Sequence, residues 1–129
     1  MSNVAIKKKR PVYLNLIQIR LPLPGLVSIL HRVSGALLFV SGVWLLFMLD
    51  RSLSSEAGFQ STKRYLGFPI VKLALLGLIW AYCHHFCAGI RYLFLDLDKG
   101  TDLAAARLTS WIVLAASLAF TAYFGARLW

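Results

Sequence analysis

The chain has 129 residues, of which 59% are hydrophobic, 13% aromatic and only 15% charged. An ordinary soluble domain is about 45–50% apolar, and a disordered tail is poor in apolar residues and rich in charge, so this composition excludes both. Fourteen Lys and Arg against five Asp and Glu give a net charge of +9. In a membrane chain such cations gather at the ends of the spans, so we expect a small membrane protein and no nucleic-acid partner.

The first segment, residues 1–25, is basic and ends in helix breakers. Residues 7–10 read Lys-Lys-Lys-Arg without a compensating acid, and no apolar segment with a cleavage site follows directly, so we interpret the segment as a retained tail. Pro22, Pro24 and Gly25 cannot all lie inside one regular helix. We therefore place the start of the first span at these residues.

Three uncharged runs follow, at residues 33–49, 73–90 and 108–126. As helices each is roughly 25–29 Å long, close to the thickness of a hydrocarbon core. A strand facing lipid would need an alternating pattern that these runs lack. The sequence thus predicts an all-α chain in one membrane-anchor domain, 1–129, with transmembrane helices at about 26–49, 68–95 and 107–128 that join a larger helical bundle.

The distribution of positive charge predicts the orientation. With three spans, the amino terminus and the loop between the second and third spans share one side of the membrane. That side carries nine of the fourteen cations, Lys7, Lys8, Lys9, Arg10, Arg20, Arg32, Arg91, Lys99 and Arg107. By the positive-inside rule the amino terminus is cytoplasmic.

Ionisable residues inside the spans cluster at one depth. His31 and Arg32 lie near the cytoplasmic end of the first span, and His85 lies roughly 9 Å below the cytoplasmic end of the second. Such residues face protein or water and are functional candidates by default. From the residues alone, the histidines could ligate haem, contact a quinone, relay protons or simply hydrogen-bond inside the bundle.

A flat haem beside a helix needs small neighbours, and this favours His85 over His84. Residues 81, 88 and 89, one turn from His85, are Ala, Ala and Gly, whereas Trp80 crowds His84. Arg32, Arg91 and His31 could serve haem propionates near the membrane surface. The pairs Ser34-Gly35 and Ser41-Gly42, seven residues apart, indicate close helix packing.

No catalytic constellation is evident, because the five acids lie at span ends or in loops and no nucleophile has an evident base. Two thiols inside one helix, at Cys83 and Cys87, are more typical of apolar fillers than of a metal site. The pattern predicts a cofactor-bearing anchor in a larger complex and not an enzyme acting alone.

Four blocks of sequence carry a family resemblance. They are Arg-Pro-Val-Tyr-Leu-Asn-Leu from Arg10, Ser-Ile-Leu-His-Arg-Val-Ser-Gly from Ser28, Ser-Leu-Ser-Ser from Ser52, and His85-x-x-x-Gly89-Ile90-Arg91 followed by Asp96. In order and spacing they resemble the cytochrome b membrane-anchor subunits of succinate dehydrogenase. The likeness spans almost the entire chain.

The resemblance implies that the chain binds haem b and ubiquinone and works with a second small anchor subunit, an iron–sulfur subunit and a flavoprotein in the bacterial inner membrane. It implies that His85 is the axial haem ligand, with the second ligand from the partner anchor. Ser28 and Arg32 match quinone-site residues, and His31 and Arg32 match the propionate neighbourhood. The family usually has a second histidine where this chain has Tyr92.

Three further interpretations stay open. The chain could serve a fumarate reductase that uses menaquinone. It could be another cytochrome b, in which His31 and His85 both ligate haem within one chain. It could also be a non-redox anchor whose histidines are structural.

Overall fold

The computed structural model describes residues 20–128, which form four helices and no strand. They are α1 (Leu23–Ser54), α2 (Glu56–Leu66), α3 (Pro69–Asp96) and α4 (Leu103–Gly125). Helices α1, α3 and α4 are long and apolar enough to cross a membrane. The predicted all-α fold with three spans is confirmed. Most of the basic tail, residues 1–19, lies outside the described residues.

Helix α1 is longer than the span predicted at 26–49. It starts at Leu23, with Pro22 as the N-cap and Pro24 in the first turn. Proline is tolerated there because the first N–H groups of a helix have no partner within it. The helix continues past Asp50 to Ser54, so its 32 residues measure about 48 Å. One end therefore extends beyond the thickness of a hydrocarbon core.

The segment between the first two spans contains a helix that the sequence analysis did not predict. Helix α2 is amphipathic, and its N-cap is Ser55, whose side chain accepts a hydrogen bond of 3.0 Å from the backbone N–H of Gly58. Glu56 in the first turn and Lys63 and Arg64 in the last complement the helix dipole. Capping and charge placement thus favour a short helix that is too polar to span lipid.

The last two spans differ from their predicted bounds by at most four residues. Helix α3 covers Pro69–Asp96, against 68–95 predicted. Helix α4 covers Leu103–Gly125, against 107–128, because the side chain of Asp102 caps it by accepting a hydrogen bond of 2.9 Å from the N–H of Ala105. Gly100 in the connecting turn has a φ of 77°, which glycine adopts without strain.

Helix α3 is central, because it packs against both α1 and α4. The interior between them is narrow and built on Val27, Ala88 and Val113. Large apolar side chains point outward, as with Phe39, which is 81% exposed. This arrangement positions His31 of α1 and His85 of α3 face to face and leaves extensive apolar surface for lipid or other subunits.

Candidate cofactor site

The imidazole rings of His31 on α1 and His85 on α3 are stacked. Their centroids are 4.1 Å apart and their planes differ by 8°. The ring of Tyr92 lies 5.0 Å from that of His31 at a tilt of 49°. The equal depth predicted for His31 and His85 is thus realised as direct contact between the two helices.

The two nitrogens of His85 have different surroundings. Nδ1 lies 3.0 Å from the backbone oxygen of His31 and 3.3 Å from Oγ of Ser34. Nε2 makes no hydrogen bond within residues 20–128, and it is not one of the fully buried polar atoms. One nitrogen is therefore held by α1, and the other is accessible to a ligand.

Glycine provides the space beside this ring. A Cβ atom added at Gly35 would lie 2.8 Å from Cε1 of His85 and 3.3 Å from its Nδ1. From the sequence alone, the small neighbours of His85 are predicted on its own helix, and Ser34-Gly35 indicates only close helix packing. The signal available was that this pair follows His31 by three and four residues, hence on the same face of α1.

His84 differs sharply from its neighbour. It is 0% exposed, and within residues 20–128 neither ring nitrogen has a hydrogen-bond partner. Its ring is stacked on that of Trp80, with centroids 5.4 Å apart. Because no part of the ring reaches the surface, a large flat cofactor can approach His85 but not His84.

Ser28 and Arg32 form a second polar group on α1. Nη2 of Arg32 donates a hydrogen bond of 3.1 Å to Oγ of Ser28. Arg32 is exposed and Ser28 is half-buried. The hydroxyl proton of Ser28 and the remaining N–H groups of Arg32 can thus be offered to an acceptor at the same face.

Arg91 is not brought together with His85. It is only 7% exposed, and its Nε donates a hydrogen bond of 3.0 Å to Oγ1 of Thr109 on α4. Six residues along a helix turn the side chain by about 120°, so Arg91 faces α4 while His85 faces α1. Its guanidinium carbon lies 5.7 Å from the ring of Tyr92, which in turn contacts His31.

The donor set suits haem better than a bare metal ion. Within residues 20–128 no group of three or more His, Cys, Asp or Glu side chains could hold a metal. Haem would need only axial side chains from protein, because its macrocycle supplies the equatorial ligands. Two axial ligands bind from opposite faces, so the stacked rings of His31 and His85 cannot both ligate one iron in this arrangement.

Comparison with known proteins identifies a family and several relatives of this chain. The family model described as succinate dehydrogenase/fumarate reductase transmembrane subunit matches residues 6–124. Succinate dehydrogenase cytochrome b556 subunits are similar: that of Rickettsia felis is 33% identical over 90% of both chains, and that of Coxiella burnetii is 31% identical over 94% of this chain and 98% of its own. The subunit of Paracoccus denitrificans is 32% identical over 84% of each chain.

Proposed function

Because the chain belongs to the succinate dehydrogenase/fumarate reductase transmembrane subunit family, we propose that it binds haem b and ubiquinone and passes electrons from an iron–sulfur subunit to ubiquinone. Members of this kind are non-catalytic membrane anchors of an oxidoreductase complex. The names of the relatives favour succinate dehydrogenase over fumarate reductase. One observation carries the proposal for haem: His85 has one nitrogen tethered and the other accessible.

His85 is the proposed axial ligand. When bound, haem b would accept and release single electrons. His85 would hold the iron through Nε2, while its Nδ1 stays on α1. Since His31 cannot serve as the opposite ligand in the same arrangement, the second ligand comes from the partner anchor subunit, and the haem lies between two chains.

Cations near this position would hold the haem propionates. The Nε2 atom of His31 is buried and has no hydrogen-bond partner within residues 20–128, so it would donate to a propionate oxygen once the ring turns outward. Arg32 lies next to it and is exposed. Arg91 would act on the propionates only indirectly: its Nε is bonded to Thr109, and its guanidinium lies over the ring of Tyr92, which contacts His31.

Ser28 and Arg32 are the proposed ubiquinone contacts. A hydroxyl and a guanidinium on one helix turn can donate to a quinone carbonyl oxygen. Such donors stabilise the negative charge that develops on this oxygen during reduction. Because the hydroxyl of Ser28 accepts from Arg32, its own proton is free to point to the quinone.

The proposed setting is the bacterial inner membrane with a cytoplasmic amino terminus. The exposed apolar faces of α1, α3 and α4 would contact lipid and the second anchor subunit. The iron–sulfur subunit and the flavoprotein would dock on the cytoplasmic side. The excess of cations predicted for that side supports this orientation.

The test is the optical spectrum of the purified complex carrying His85→Gly. We expect the low-spin haem spectrum to be lost, and added imidazole to restore it by entering the space left by the side chain. His84→Leu is the matched control and should retain the spectrum. An unchanged spectrum in His85→Gly would show that His85 is not the ligand, and a loss that imidazole does not restore would indicate a structural role.

A further inference from the structure

We propose that residues 31–35 of α1 act as a positioning element that selects the tautomer of His85 and fixes the plane of its ring. This inference rests on the proposed role of His85 as axial ligand. It assigns functions to the backbone carbonyl of His31, the hydroxyl of Ser34 and the missing side chain of Gly35. All three residues lie on α1, and each is next to the ring of His85 on α3.

The backbone carbonyl of His31 selects the tautomer. A carbonyl oxygen can only accept, so a nitrogen 3.0 Å away must carry the proton. A neutral imidazole protonated on Nδ1 has its lone pair on Nε2, which is the atom accessible to a ligand. A hydrogen bond of this kind commonly orients a ligating histidine and raises its basicity.

Ser34 contacts both the carbonyl oxygen of His31 and the ring of His85. The residue is 0% exposed, its hydroxyl donates a hydrogen bond of 2.9 Å to the backbone oxygen of His31, and its oxygen lies 3.3 Å from Nδ1 of His85. The hydroxyl proton is thus directed at the carbonyl, and a lone pair faces the N–H of His85. Removing this hydroxyl therefore changes the acceptors around the Nδ1 proton in two ways: the carbonyl loses one donor, and the lone pair of Ser34 is taken away.

Gly35 keeps the ring in its plane. An alanine methyl would lie 2.8 Å from Cε1, so the ring or the helix would have to move. The ring of His31 covers one face of His85 at 4.1 Å, and the carbonyl holds Nδ1. The ring can therefore escape only by tilting or by separation of α1 from α3, and either change displaces Nε2.

The chain offers matched controls seven residues further along α1, two turns away on nearly the same face. A Cβ atom added at Gly42 has nothing within 4 Å. Within residues 20–128 the hydroxyl of Ser41 bonds only to backbone oxygens of its own helix, at 2.7 and 3.2 Å. Each control repeats the chemical change without touching His85.

The experiment compares Gly35→Ala with Gly42→Ala and Ser34→Ala with Ser41→Ala in the purified complex. The readouts are the ratio of haem to protein, the electron paramagnetic resonance signal of the low-spin iron, and the midpoint potential. We expect Gly35→Ala to lose haem or to shift the resonance signal. Ser34→Ala should retain haem and shift the midpoint potential, because it changes the hydrogen bonding of the Nδ1 proton and with it the electron density of the imidazole. Both controls should match the unaltered complex.

The outcomes separate the two proposals. If His85→Gly leaves the spectrum unchanged, the axial ligand has been assigned wrongly. If His85→Gly abolishes the spectrum while Gly35→Ala and Ser34→Ala behave like their controls, the positioning role is overturned and the ligand stands. Should Gly35→Ala prevent assembly, the potential of Ser34→Ala decides, since a merely structural serine would not move it.

Discussion

The hydrogen bond between Arg32 and Ser28 predicts that the two residues act on ubiquinone as a unit. Under the proposed ubiquinone contact, Arg32→Ala removes a charge-assisted hydrogen bond to the quinone, which costs about 1.5–3 kcal/mol. At 1.4 kcal/mol for each factor of ten, kcat/KM for ubiquinone should fall about 10- to 150-fold. In Ser28→Ala a neutral hydrogen bond is lost, about 0.5–1.5 kcal/mol, so the fall should be about 2- to 10-fold.

The variant with both Ser28→Ala and Arg32→Ala measures the coupling energy between the two residues. Arg32 donates to the oxygen of Ser28 at 3.1 Å and thereby orients the hydroxyl proton. Without Arg32 the hydroxyl is no longer oriented, so removing it should cost little more. We expect the double variant to resemble Arg32→Ala, with a coupling energy of about 0.5–1.5 kcal/mol, which is in the range for residues in contact.

The assay measures succinate oxidation coupled to ubiquinone, beside oxidation coupled to an artificial acceptor that bypasses the membrane subunits. Only the first activity should fall. Arg51→Ala, at the opposite end of α1, is the charge control and should leave both activities unchanged. Equal losses of both activities, or losses in the double variant that multiply as independent effects, would contradict the proposed joint contact.

Two further predictions concern stability, measured as the temperature at which the purified complex releases haem. Thr109→Val leaves the buried Nε of Arg91 without its partner and should destabilise by about 1–3 kcal/mol, whereas Thr121→Val, which loses only a bond within its own helix, should change little; equal effects would refute the role of Arg91. Gly58→Ala places a methyl against the α1 backbone and should destabilise the complex by about 1–3 kcal/mol. Gly77→Ala is the control, because its methyl meets nothing within 4 Å among the described residues. An unaltered Gly58→Ala complex would show that the junction of α1 and α2 can make room for the methyl.

The number of apolar spans and the common level of His31 and His85 could be predicted from the sequence, because both follow from hydropathy and helical rise. Breakers and charges fix where the apolar runs end, and antiparallel neighbours bring His31 and His85 level. Helix α2 could not be predicted in the same way. It is defined by the cap at Ser55 and by an amphipathic pattern that covers only 11 residues.

The details of the site depend on how each helix is rotated, which hydropathy does not specify when apolar residues surround the whole helix. Arg91 was therefore grouped with the propionate cations, although its Nε bonds to Thr109 on α4. Gly35 was missed for the same reason. Its importance is visible only when His85 from another helix is seen to occupy the adjoining space.

The contact that holds His85 is made by a peptide group and not by a side chain. Every residue type has a peptide oxygen, so substitutions at position 31 can alter the electrostatics around the proposed haem while keeping the hydrogen bond to Nδ1 of His85. Only a change in the helical path of α1, such as an inserted residue or a proline one turn later, would take this acceptor away. The hydrogen bond to Nδ1 of His85 is therefore maintained by the regularity of α1 and by the distance between α1 and α3.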